Sequence, residues 1–94
     1  MANQYIITSH GQIRPMPEPE NDDGTFTLKQ LQSAVGGYIE QVMPRSANDA
    51  PSGVVFLCDE EGLLKEKPFN PLASALVGHN IVGDLVVIDD DKWS

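Results

Sequence analysis

The strongest constraint on the fold is an uninterrupted apolar run at residues 54–58. Apolar residues in succession leave no polar face on a strand, and the turn-forming residues on either side make the run too short for a buried helix. We therefore expect residues 54–58 to form a central strand that is buried on both faces. A second apolar run at residues 85–88, which follows Gly83 and Asp84, predicts the last strand of the chain.

Two more segments have the composition of strands. Residues 5–8 combine aromatic and β-branched side chains, and the sequence is compatible with an extension through Gly11 towards Ile13. Residues 38–43 predict another strand, directly after a pair of glycines.

The first helix is predicted to begin after Thr27 and to end at Gly36-Gly37. Thr27 and Gln30 form a Thr-x-x-Gln capping box, in which each side chain binds the other residue's backbone N–H. Glycine ends a helix readily because it enters the left-handed conformation at little cost. The buried stripe is predicted to consist of Leu28, Leu31 and Val35.

The second helix is predicted to begin at Asn70-Pro71, where asparagine caps the helix and proline occupies its first position. Gly78 is expected to end it. Its buried face is predicted to contain Leu72, Ala75 and Leu76.

The order strand, helix, strand, strand, helix, strand predicts an α+β fold, with a small antiparallel sheet and two short helices on one face. A ferredoxin-like split βαβ unit has this order. The helices span only about three and two turns, so a small curled sheet plugged by two helices is the alternative.

A length of 94 residues predicts a single domain, residues 1–94, with its core at 27–88. Residues 15–24, with three prolines and four acids, predict a loop, and so do residues 44–53. Residues 89–94, which begin with three aspartates, predict a frayed tail.

The formal net charge of −8 restricts the possible partners. Nucleic acids and anionic membranes are disfavoured because both attract basic surfaces. Basic proteins are compatible with such a surface. No apolar run approaches the ~18 residues that cross a bilayer, and no secretory signal is visible at the N-terminus. With a single cysteine, Cys58, these features favour the cytoplasm.

The sequence contains no catalytic or metal-binding signature that we recognise. An EF-hand alignment on Gly24 places Pro19 and Gln30 where oxygen ligands are needed. One cysteine and two histidines are too few for a structural zinc site. Cys58 ends an apolar run, which favours a small buried side chain over a nucleophile. We therefore predict no metal and no cofactor.

Four motifs together resemble a known family: LxxLQxxVGGYIE at 28–40, CDEEGLxK at 58–65, PxNxLA at 68–73 and IVGD at 81–84. The sequence is similar to a small domain of unknown function from bacteria, their phages and plasmids. The resemblance implies an accessory protein of a mobile element, and it implies no reaction.

The motifs select a set of polar residues as a candidate binding cluster for a ligand or partner. These residues are Tyr38, Glu40, Glu61, Asn70 and Asp84.

The leading functional hypothesis is a non-enzymatic binding module that occupies a host protein or sequesters a small ligand. The alternative is an acidic mimic of DNA that inhibits a nucleic-acid-binding host protein, although the acids lie mainly in loops. A small enzyme with Glu40 or Glu61 as its base is a third hypothesis, and a homo-oligomeric structural protein is a fourth.

Overall fold

The computed structural model describes residues 4–45 and 53–93, which form one open antiparallel sheet and two α-helices. The elements in chain order are β1 Tyr5–Ile7, β2 Ile13–Pro15, α1 Leu28–Val35, β3 Ile39–Val42, β4 Val54–Asp59, α2 Pro71–Val77 and β5 Leu85–Asp89. Across the sheet the strand order is β2-β1-β5-β4-β3. The predicted α+β class, the antiparallel sheet and the two short helices are confirmed.

The central strands β4 and β5 are buried on both faces, as residues 54–58 predicted. On β4, Phe56 and Cys58 belong to one apolar cluster, whereas Val55 and Leu57 belong to another. Successive side chains of a strand point to opposite faces, so the two clusters lie on opposite sides of the sheet.

The two helices cover different faces of the sheet. The cluster of Phe56 contains Ala73 and Val77 from α2, and the other cluster contains Leu31 and Val35 from α1. This arrangement differs from the predicted placement of both helices on one face. The physical reason is that strands with apolar side chains at every position need cover on both faces.

The connection through α2 also differs from that of a ferredoxin-like unit. The helix leads from β4 to β5, which are neighbouring antiparallel strands. A split βαβ unit instead joins two parallel strands through a helix, and another strand of the sheet lies between them. The sheet is open, with β2 and β3 at its two edges.

The chain reverses between β1 and β2 instead of continuing as one strand towards Ile13. The Thr8 N–H donates to the Gln12 carbonyl at 2.8 Å, and the Gly11 N–H donates to the Thr8 carbonyl at 3.0 Å. Gly11 has a φ of 82°, which glycine adopts without steric conflict.

The predicted caps of α1 are confirmed. The Gln30 N–H donates to the Thr27 hydroxyl at 3.0 Å, and the Thr27 N–H donates to the Gln30 side-chain carbonyl at 3.1 Å. Gly36 ends the helix with a φ of 81°. Leu31 and Val35 are buried as predicted, but Leu28 is exposed.

The buried face of α2 differs from the prediction. Ala73 and Val77 are buried, whereas Leu72 and Ala75 face solvent and Leu76 is only half-buried. A helix of two turns offers few apolar residues, so its rotation depends on the groups that anchor its ends rather than on hydrophobicity alone.

The segment predicted as a frayed tail contains a 3-10 turn at Asp90–Lys92. The Lys92 carbonyl accepts the Phe26 N–H at 3.0 Å, and Trp93 packs against the cluster on the α1 face. In the predicted loop 44–53, residues 46–52 lie outside the described part of the chain. Neither described helix is long and apolar enough to cross a membrane.

Asn70 anchors α2 to the sheet. Its side chain is 0% exposed, accepts the Ala73 N–H at 3.0 Å, and donates to the carbonyls of Ile7 at 3.0 Å and Gly83 at 2.9 Å. The predicted helix cap is thus confirmed, and the same amide joins α2 to the end of β1 and to the approach of β5.

We predict that Asn70→Ala lowers the free energy of unfolding by about 3 kcal/mol, because it leaves buried backbone groups without partners. Urea unfolding followed by circular dichroism measures the change. The exposed Asn80 provides the control, since Asn80→Ala is expected to unfold at nearly the wild-type urea concentration. Equal midpoints for the two variants would contradict the anchoring role.

Candidate functional site

The structure does not bring the five predicted site residues into one place. Tyr38 and Glu61 line a cleft of about 220 Å³. Glu40 lines a separate cleft of about 390 Å³, and Asp84 lines a third of about 320 Å³. Asn70 lies in the interior, where its side chain is enclosed. A binding role for the four accessible residues stays a prediction.

A buried carboxylate, Asp59, organises the region between these clefts. Its side chain is only 1% exposed and lies at the end of β4. Lys65 Nζ approaches Asp59 Oδ2 at 2.9 Å, and Lys67 Nζ approaches the same oxygen at 2.7 Å. The Glu61 N–H donates to Asp59 Oδ1 at 2.8 Å. Two cations and a backbone donor therefore compensate the cost of burying this charge.

The same two lysines also hold the C-terminal end of α1. Lys67 Nζ donates to the Val35 carbonyl at 2.8 Å, and Lys65 Nζ donates to the Gly36 carbonyl at 3.1 Å. Helix C-termini carry unsatisfied carbonyls and partial negative charge, which cations stabilise. No basic residue lies in the last turn of α1 itself, so the loop at residues 60–67 supplies this charge.

Gly37 leaves room for this arrangement. A Cβ placed there would lie 2.5 Å from Lys65 Nζ and 2.7 Å from Asp59 Oδ1. The second glycine of Gly36-Gly37 therefore permits the ion pair to pack against the backbone, whereas sequence reasoning explained both glycines as a helix end.

The pKa of Asp59 is set by opposing effects. Burial alone would raise the pKa of the carboxyl, but hydrogen bonds from Lys67, Lys65 and the Glu61 N–H hold it well below its usual range. The hydrogen bond to Asp59 in turn raises the pKa of Lys65. At neutral pH both Asp59 and Lys65 are therefore ionised, and their ion pair is suited to a structural role.

The cleft that contains Glu40 runs along β3 on the α2 face of the sheet, and we call it the β3 cleft. It has a volume of about 390 Å³. Its walls come from β3, from the end of β4 with the following turn, and from the chain after α2. The lining residues used below are Glu40, Val42, Met43, Cys58, Glu60, Leu63, His79, Asn80 and Ile81.

Cys58 lies in the floor of the β3 cleft, directly opposite Glu40 on the neighbouring strand β4. Its Sγ is 4.0 Å from Glu40 Oε1. Burial, followed by the negative charges of Glu40 and Asp59, raises the pKa of the Cys58 thiol to about 11. The thiol is therefore protonated at neutral pH and a weak nucleophile, in agreement with its prediction as a small buried side chain.

The β3 cleft continues into a second cleft at its far end. His79 and Asn80 line both cavities, and the second, of about 600 Å³, extends past Phe69 and Arg45. Among the described residues, no group of three His, Cys, Asp or Glu side chains is arranged to hold a metal ion.

Sequence reasoning missed Asp59, Lys65 and Lys67 as a set. The available signal was an acid directly after a fully apolar strand, followed by two lysines separated by one residue. An acid at that position is buried if the strand is central, and it then needs cationic partners.

Two α-helices on opposite faces of an open antiparallel sheet define a small α+β domain. The chain belongs to the family described as domain of unknown function (DUF3846), whose model matches residues 6–94. The resemblance to a domain family of unknown function is thereby confirmed. The origin in bacteria, phages or plasmids stays a prediction. No curated protein and no solved structure matches the chain.

We predict that Asp59→Asn lowers the free energy of unfolding by about 2 kcal/mol at pH 7, less than for a fully buried pair because the lysines are partly exposed. The folded-state pKa of Asp59 lies below its unfolded value of about 3.9, so its stabilisation is complete above that pH and is lost as the pH falls below it.

The difference between wild type and Asp59→Asn should therefore narrow below about pH 4. Urea unfolding at a series of pH values measures it, with the exposed Asp91→Asn as the control. A difference that is the same at acid and neutral pH would show that the ion pairs do not stabilise the fold.

Proposed function

We propose that this protein is a non-enzymatic binding module whose β3 cleft receives a basic segment of another protein. The observation that carries the proposal is the pair of carboxylates in this cleft, Glu40 and Glu60, which make no ion pair with any described residue. The mobile-element origin and the cytoplasmic location, both predicted from the sequence, favour a protein of the host as the partner.

The electrostatic argument begins with how the lysines are used. Lys65 and Lys67 are both engaged by the buried Asp59. Glu40 and Glu60, in contrast, are exposed at the cleft. The protein has a formal net charge of −8, and clefts lined by one sign of charge concentrate ligands of the opposite sign. A segment with lysine or arginine side chains satisfies this requirement.

The apolar side chains of the cleft favour a protein segment over a small polar cation. Met43 is 67% exposed and Leu63 is 81% exposed, and both stand beside the half-buried Val42 and the buried Ile81. Aliphatic side chains next to unpaired charges are typical of surfaces that bury an apolar anchor and pair a charge at its rim. Protein segments offer both groups together.

The length of the surface also favours a protein segment over a sequestered small molecule. Small-molecule sites enclose most of the ligand surface. The β3 cleft instead opens between exposed side chains and continues past His79 and Asn80 into the neighbouring cleft. An extended chain could follow this path, whereas a small ligand would stay largely in water.

One observation favours the alternative, an acidic mimic of DNA. The acidic loop at residues 18–23 and the acidic residues 89–91 lie at the same end of the molecule, because the Phe26 N–H donates to the Lys92 carbonyl at 3.0 Å. A third run of acids, residues 59–61, does not join them, since Asp59 lies at the other end of β4 and is paired with two lysines.

Removal of both cleft charges in a Glu40→Gln, Glu60→Gln variant tests the proposal. We expect it to weaken binding of a short capped peptide with the repeat Lys-Thr-Val-Thr, which presents lysine and valine in turn on one face of an extended strand. The expected loss is about tenfold at low salt, because each lost pair of this kind contributes up to about 1 kcal/mol. Fluorescence anisotropy at low and high salt measures the affinity of a labelled peptide.

An Asp22→Asn, Asp90→Asn variant provides a matched control, because it changes the net charge equally at the other acidic surface. Wild-type affinity of this control supports the β3 cleft as the site. A loss confined to this control would favour the DNA-mimic function, and an unaffected Glu40→Gln, Glu60→Gln variant would overturn the proposal.

A further inference from the structure

Building on the proposed function, we infer that the basic segment binds as an extended strand that adds to the outer edge of β3. The sheet would then gain a sixth strand, and alternate side chains of the partner would enter the β3 cleft. Recognition would combine main-chain hydrogen bonds with pairing of side chains on the α2 face.

The register of β3 on β4 fixes which backbone groups face outward. Glu60, opposite Tyr38, donates its N–H to the Tyr38 carbonyl at 2.8 Å. Hydrogen-bonded pairs alternate along an antiparallel ladder, so Glu40 and Val42 direct their backbone groups towards β4. The N–H and carbonyl of Ile39 and Gln41 consequently point away from the sheet.

These outward groups have no partner among the residues that the structure describes. No described strand pairs with the outer side of β3, and no hydrogen bond from the rest of the described chain reaches the backbone of Ile39 or Gln41. Glu40 and Gln41 are also exposed. An edge of this kind is a template for another strand.

The opposite edge of the sheet, β2, is closed to strand addition by its sequence. The Met16 N–H donates to the Gln4 carbonyl at 3.0 Å, so the alternation places Ile13 and Pro15 outward on β2. Pro15 has no N–H to offer, and proline and charged residues are common protections of sheet edges. β3 has no proline within its bounds, and its one charged residue is Glu40.

Glu40 determines the charge of the incoming strand. If Ile39 and Gln41 form the new hydrogen bonds, Glu40 lies in a non-hydrogen-bonded pair, in which opposing side chains are closest. A lysine or arginine opposite Glu40 is then in contact with its carboxylate on the α2 face. The next partner residue on that face lies beside Val42 and Met43, which favours an apolar side chain.

The same geometry disfavours a second copy of this chain as the occupant. Within the bounds of β3, self-pairing through Ile39 and Gln41 places Glu40 opposite its own copy in the closest type of pair. Like charges at directly opposed positions destabilise a strand pair. The carboxylate therefore selects a basic partner and rejects self-association.

Gln41→Pro separates strand addition from a purely charge-guided contact. It removes the outward N–H of residue 41 and none of the hydrogen bonds to β4, so the fold is expected to be retained. Gln41→Ala removes the same side chain and keeps the N–H. With the Lys-Thr-Val-Thr peptide, we expect Gln41→Pro to bind at least about tenfold more weakly than Gln41→Ala.

Amide hydrogen exchange of the wild-type protein gives a second, direct measurement. We expect the peptide to slow exchange at Ile39 and Gln41, whereas the amides of Glu40 and Val42 are already protected by β4. A peptide N-methylated at alternate residues, which cannot complete the ladder, should give no such protection.

The outcomes distinguish the two proposals. If the peptide binds through Glu40 and Glu60 but Gln41→Pro matches Gln41→Ala and exchange at Ile39 and Gln41 is unchanged, strand addition is wrong and the proposed function stands. If the wild type does not bind the peptide at all, both are wrong. Protection of Ile39 and Gln41 without peptide, accompanied by a dimer in sedimentation, would identify a second copy as the occupant and overturn the inference.

Discussion

The ionised Asp59 carboxylate is the constraint on which the arrangement of this domain depends. It lies at the end of the central strand β4, where burial makes an unpaired charge very costly. Its two lysines come from the loop that follows, and both also reach carbonyls at the end of α1. One carboxylate therefore holds together a strand end, a helix end and a loop that would otherwise contact each other weakly.

The position of this loop supports the proposed function. With Lys65 and Lys67 drawn inward, Leu63 is left exposed at the rim of the β3 cleft. Glu60 faces the cleft and makes no ion pair with the described part of the chain. Two of the six lysine and arginine residues of the protein are thus paired with a buried carboxylate that stabilises the fold. The negative charge that remains at the cleft is the charge that we propose a basic segment to meet. It lies beside an edge strand whose outward backbone groups have no partner within residues 4–45 and 53–93.

Several features were predictable because they depend on neighbours in the sequence. The Thr27 and Gln30 side chains cap α1 as their spacing indicated, and Asn70 caps α2. The apolar run at 54–58 correctly indicated a strand buried on both faces. A strand buried on both faces needs cover on both faces, so this prediction conflicted with the prediction of two helices on one face. The structure agrees with the buried strand, because α1 and α2 cover opposite faces.

The sequence by itself determined the ends of the helices, the central strand and the acidic character, since caps, glycine stops and apolar runs act over a few residues. Tertiary structure decided which face each helix covers, what the side-chain amide of Asn70 donates to, and how Asp59 is neutralised. These depend on groups distant along the chain: Asn70 reaches Ile7, and Lys67 reaches the Val35 carbonyl. A buried polar group must find partners, but its sequence neighbours do not say which ones, because only the folded backbone brings them within hydrogen-bonding distance.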